Sequence, residues 1–156
     1  IQYLAQTVSV PIFADPVSTA KAVKLRSVLG RLHTLKPNQL EAELLSGIAI
    51  TDEASLHRAA DALLETGLQR GFISLGADGV LADHTEHLLL PVLPAQMTNT
   101  TGCGDAFMAA ITWAYLRGLS LEDTARAGLA ASAIAMEGAE TINPALSEDA
   151  LLARAQ

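Results

Sequence analysis

The chain has 156 residues, half of them hydrophobic, with a formal net charge of −7 and a pI near 4.9. That size supports one sizeable core, so a single domain over residues 1–156 is expected. The acidic balance argues against a nucleic-acid-binding surface, no apolar run approaches membrane-spanning length, and a single cysteine cannot form an internal disulfide, which suits a reducing, cytoplasmic setting.

Val8 to Ala14 reads as a buried strand ended by Asp15-Pro16, and the chain enters directly on that pattern. Ser18 can cap a helix through about Leu29, with Ala22, Leu25 and Leu29 inward. His33-Thr34-Leu35 is a short second strand closed by Lys36-Pro37. Asn38 begins a helix carrying Leu40, Leu44 and Leu45, ended by Gly47. Thr51 or Asp52 caps the next, whose Leu56, Ala59, Ala60, Leu63 and Leu64 form one stripe before Gly67. Phe72 to Leu75 is a third strand. Gly76-Ala77-Asp78-Gly79 then turns the chain into Val80-Leu81-Ala82, and His87 to Val92 gives another strand. A helix opens after Gly102 and ends at Gly118. Ser120 and Asp123 form a capping-box pattern for an alanine-rich helix to Met136, and a last helix runs from about Ser147 to Ala155. Strands alternating with helices imply parallel βαβ units, with an antiparallel element around residues 80–92, in a doubly wound α/β sandwich. Ligands of such sheets gather where strands end and helices begin, which singles out Asp15, Asn38, Gly76 and Gly102.

The most informative stretch is Thr98 to Phe107. Gly102 and Gly104 flank Cys103, Asp105 follows at once, and Phe107, Ala110, Ile111, Ala114 and Tyr115 recur at helical spacing. Free N–H groups at a helix start, beside glycines that admit close approach, make a phosphate cradle. Asp105 repels phosphate, which makes sense if its carboxylate takes a proton from an incoming hydroxyl during phosphoryl transfer. As a residue that merely favours the helix dipole it is equally well explained. No Gly-Lys-Ser/Thr follows the glycines, so this is not a P-loop.

Asn38 and Glu41 lie three apart on one helical face, where an amide and a carboxylate could hold the water shell of Mg²⁺. On spacing alone a capping box explains the pair better. Ser74-Leu75-Gly76-Ala77-Asp78-Gly79 is a strand and a glycine turn, a weak signal by itself. Asp83-His84-Thr85-Glu86-His87 falls at a hairpin tip, where a solvated turn is a commoner explanation than a metal site. Cys103 sits where a helix start can lower a thiol's pKa, but reads as a small space-filling residue. Trp113 and Tyr115, on a helix apolar nearly all round, read as core.

Thr100 to Phe107 resembles the C-terminal signature of the PfkB (ribokinase-like) sugar and nucleoside kinases. The resemblance implies a ribokinase-like, Rossmann-like three-layer α/β/α sandwich, with Asp105 as catalytic base and the amides of Gly102, Cys103 and Gly104 as anion hole. Asn38 and Glu41 match the family's Asn-x-x-Glu motif, acting on Mg²⁺ and phosphate. Ser74, Gly76, Thr101 and Ala130 would border ATP, and Gly79, in the family's nucleotide segment, would be more structural. The acceptor would be a small sugar or nucleoside, with no nucleic-acid or membrane partner; a monovalent cation such as K⁺ and a homodimer of the longer protein are left open. Within the family, His33 to Asn38, Glu41 to Ile48, Thr141 to Ser147 and Asp15 to Ser18 look most like the bacterial pseudouridine-kinase branch, which phosphorylates a 5′-hydroxyl. Ribose, fructose or another nucleoside, and a non-catalytic nucleotide-binding module, are the alternatives. Asn99 stands where ribokinases carry an aspartate that helps build a monovalent-cation site, and Leu129 about where they carry an asparagine near the adenine. With Ile1 first and the resemblance confined to the family's C-terminal half, the expectation is a piece lacking the lid and first strands, inactive by itself.

Overall fold

The computed structural model describes all residues 1–156, which divide into two compact units: Ile1–Gly76 with Leu81–Leu89, and Ala77–Val80 with Leu90–Gln156.

The chain opens with helix α1 (Gln2–Thr7), followed by β1 (Phe13–Ala14). The entry is thus helical, and the expected strand from Val8 shrinks to two residues. Pro11 has no N–H for a ladder, and β1 is an edge strand pairing only with β2. Helix α2 (Thr19–Ala22) passes into a 3₁₀ helix, Val23–Arg31, where a continuous α-helix was expected. Val23, Ser27, Val28 and Gly30 are all weak α-formers, and the tighter turns still bury Leu25, Val28 and Leu29. β2 (Thr34–Leu35), α3 (Gln39–Ser46), α4 (Glu53–Glu65), β3 (Arg70–Ser74), a 3₁₀ turn Gly76–Asp78, β4 (Val80–Asp83) and β5 (His87–Leu90) follow.

The strands form a mixed sheet in the order β1-β2-β3-β4-β5. β1 and β2 run parallel with Phe13 opposite Thr34, and β2 and β3 run parallel with Thr34 opposite Arg70. Leu29, Leu32, Leu35, Ala59, Leu63 and Ile73 lie at the centre of this unit's core. Each large side chain so buried contributes roughly 1.5–3 kcal/mol against exposure. Leu40 is exposed; Ala42 and Leu45 make the inner face of α3, and Glu41 is buried with them.

The second unit is built on α5 (Cys103–Leu116), α6 (Leu121–Glu137) and α7 (Glu148–Arg154). Ala106, Ala110 and Ala114 meet Ala127, Ala130 and Ala131, and Leu151 of α7 joins them. Gly128 lets the ring of Phe107 lie on the α6 backbone: a Cβ there would come within 2.6 Å of the ring. Trp113 and Tyr115 are partly buried, less than core residues would be, and the Arg117 guanidinium lies 4.9 Å above the Trp113 ring.

Candidate functional site

Because β1, β2 and β3 are parallel, their C-terminal ends emerge at one edge of the sheet, where α/β proteins bind ligands. Asp15 and Lys36 follow β1 and β2 there. Their side chains pair at 2.8 Å, and Lys36 is almost wholly buried. This pair was missed in the sequence, since its members are 21 apart (36 − 15) and only the strand register joins them. Val17 adopts φ 66°, a strained value for a β-branched residue, while its N–H donates to Asp15 Oδ1 at 3.0 Å.

Asn38 forms a bridge with Ser74, and the Ser74 N–H donates to the Pro37 carbonyl at 2.9 Å. Asn38 and Glu41 make a complete capping box at the start of α3. The structure thus brings Asn38, Glu41 and Ser74 together. The box uses Asn38 Oδ1 and Glu41 Oε2, not the amide nitrogen or Oε1. No three carboxylate, imidazole or thiol groups gather to hold a bare metal ion. A hydrated Mg²⁺ shared with phosphate needs only one or two such oxygens; Asn38 is exposed, whereas Glu41 is buried with Oε2 held by the box, so Glu41 could act on such an ion only through water.

Gly76 has φ 64° and open space beside it. Gly79, at φ 105°, is packed otherwise: a Cβ would lie 1.9 Å from the Leu90 carbonyl oxygen. The structure gives it a packing role beside β5.

Side chains of Asn38, Asp52, Ser120 and Ser147 cap α3, α4, α6 and α7, but none caps α5. Its N-cap, Gly102, has φ 88° and ψ −9°, and a Cβ there would strike the Thr141 carbonyl oxygen at 2.3 Å. The first-turn amides of this 14-residue helix therefore have no side-chain acceptor, and Gly104 and Asp105 are exposed beside them. The Cys103 N–H donates to the Thr100 carbonyl at 3.4 Å, and an exposed helix start of this kind is where anions bind in other proteins. Thr101 is exposed, and its N–H donates to Asn99 Oδ1 at 2.9 Å. Burial pushes the Cys103 thiol up, opposite to the helix-start effect. Ala130 is completely buried between α5 and α6 and presents no surface to a nucleotide.

In the hairpin from Asp83 to His87, His84 to His87 are exposed as a solvated turn would be, and Asp83 alone departs from that reading. Asp83 is buried, and His87 stands between it and Asp61, with nitrogen–oxygen distances of 3.0 and 3.2 Å. The His87 ring stacks on His57 at 4.6 Å. Burial raises the Asp83 carboxyl to about 6 against the attraction of His87, and Asp83 Oδ2 is buried without a partner. Only the packing of α4 under β5 reveals this cluster.

Residues 1–148 match the family of pfkB carbohydrate kinases, and the chain belongs to that family. It is 38% identical to the pseudouridine kinase of Escherichia coli over 146 residues, covering 92% of this chain and 47% of that protein. The ribokinase of Haemophilus influenzae is 32% identical over 124 residues, covering 78% of this chain and 40% of that protein. Among solved structures, ribokinase from Thermotoga maritima superposes with a TM-score of 0.83 at 26% identity, over 97% of this chain and 50% of that one. The fold is therefore α/β and ribokinase-like. The chain spans about half the length of the relatives it matches.

Proposed function

We propose that the protein carrying these residues is an ATP-dependent phosphotransferase acting on a sugar or nucleoside hydroxyl, and that its acceptor is the 5′-hydroxyl of pseudouridine. The observation that carries the reading is the start of α5: glycine-flanked, uncapped by any side chain, with an exposed carboxylate in its first turn. In this reading Asp105 accepts the acceptor's proton as the freed oxygen attacks the γ-phosphorus and ADP departs. The amides of Gly102, Cys103, Gly104 and Asp105 stabilise charge on the transferred group. Mg²⁺ supplies charge neutralisation when bound, and Asn38 and Glu41 would hold it through water. Ser74, Gly76 and Thr101 would flank the nucleotide. Family membership supports the reaction class, and the likeness to a pseudouridine kinase supports the acceptor. Action in the cytoplasm belongs to the reading, since ATP and free nucleosides meet there.

The test is an acceptor panel for the full-length protein: pseudouridine, uridine, adenosine, ribose and fructose with Mg²⁺ and ATP, products identified by mass. Pseudouridine should give a 5′-monophosphate with the highest kcat/KM. Preference for ribose or fructose would refute the acceptor, and no ATP-dependent product with any of them would refute the reaction class.

A further inference from the structure

The segment before α5 is tied to the segment after α6, and every polar group of Asn99 takes part. Its backbone N–H donates to the Met136 carbonyl at 3.1 Å, beside the Thr98 N–H on the same oxygen at 2.9 Å. Its side-chain Nδ2 donates to the Ala139 carbonyl at 3.3 Å, across 40 residues of sequence. Oδ1 accepts the Thr101 N–H at 2.9 Å, and the Asn99 carbonyl lies 3.8 Å from the Cys103 thiol. Gly102 then passes against the Thr141 carbonyl with no room for a Cβ. One side chain thus joins the entry to α5 to the loop that leaves α6.

The carboxamide is suited to this because it donates and accepts at once. A carboxylate in its place would keep the bond from Thr101 but lose its donor, setting oxygen against the Ala139 carbonyl oxygen. A small cation between them would be needed to offset that repulsion. We infer that Asn99 is the positioning residue of the anion loop: its carboxamide orients the amides of Gly102 to Asp105, and it does so without a monovalent cation. Its effect on turnover rests on the phosphoryl-transfer reading; its effect on loop order does not.

The experiment compares full-length wild type, Asn99→Ala and Asn99→Asp in KCl and in tetramethylammonium chloride. Hydrogen exchange of residues 98–103 should quicken about tenfold in Asn99→Ala in either salt, the order that one or two lost hydrogen bonds produce. In Asn99→Asp it should quicken only in tetramethylammonium. With ATP and acceptor, kcat of Asn99→Ala should fall about tenfold with acceptor KM changed less than about twofold. Asn99→Asp should recover in KCl, and wild type should be indifferent to the salt. Unchanged exchange in α4 shows that each variant is folded. Equal exchange of residues 98–103 in wild type and Asn99→Ala overturns the inference, as does a wild type that needs K⁺ for loop order. A wild type without kinase activity whose loop still loosens in Asn99→Ala defeats the phosphoryl-transfer reading and supports the positioning role.

Discussion

Asn38 and Glu41 close a reciprocal box: the Asn38 N–H donates to Glu41 Oε2 at 2.9 Å, and the Glu41 N–H donates to Asn38 Oδ1 at 2.9 Å. The capping explanation is therefore realised, and any role toward Mg²⁺ is an additional one. Glu41→Gln separates them, because glutamine still accepts the Asn38 N–H but carries no charge. Stability should change by less than about 1 kcal/mol, while the Mg²⁺ concentration for half-maximal turnover rises. Urea unfolding and a Mg²⁺ titration on the full-length protein check the two halves. An unchanged Mg²⁺ requirement would leave Glu41 with capping alone.

Asp83 makes stability depend on pH. Its carboxyl is raised from 3.8 to about 6, chiefly by burial. The folded state therefore keeps a proton that the unfolded chain has released. This contribution is fully present below the unfolded value and is lost as pH rises through the folded one. Asp83→Asn should flatten the stability profile between 3.8 and about 6. Urea midpoints across that window test it, and an unaltered slope would contradict the assignment.

Gly79 and Gly76 should part company on substitution. At Gly79 an added Cβ meets the Leu90 carbonyl oxygen at 1.9 Å with φ 105°, whereas at Gly76 nothing lies within 4 Å. Gly79→Ala should cost at least about 2 kcal/mol, and Gly76→Ala about 1 kcal/mol from its left-handed backbone. Thermal unfolding distinguishes them. A Gly79→Ala protein of normal stability and weakened ATP binding would return Gly79 to the nucleotide.

Much of this was legible in the residues because its causes are local. Asn38, Asp52, Ser120 and Ser147 announce their helices through hydrogen bonds three residues long, and all four caps are present. The glycine-bounded start of α5 was equally plain. What escaped depends on distant partners. The apolar run from Val8 looked like a full strand, yet only Phe13 and Ala14 find a neighbour in β2. The Asp15–Lys36 pair and the burial of Asp83 arise from register and from α4 packing, which no short window contains. Ala130 was placed beside the nucleotide by family resemblance, and the inward face it occupies is decided by α5.

Asp105 is the proposed general base. Asp105→Asn preserves shape and removes the base, so kcat of the full-length protein should fall on the order of 10²–10⁴-fold. ATP should bind at least as tightly, since a negative charge beside the anion loop is gone. The measurement is kcat and ATP affinity on one preparation of the Asp105→Asn protein. Lost turnover with ATP affinity retained is the predicted result; near-normal kcat with slightly lowered stability would show that Asp105 only serves the helix start.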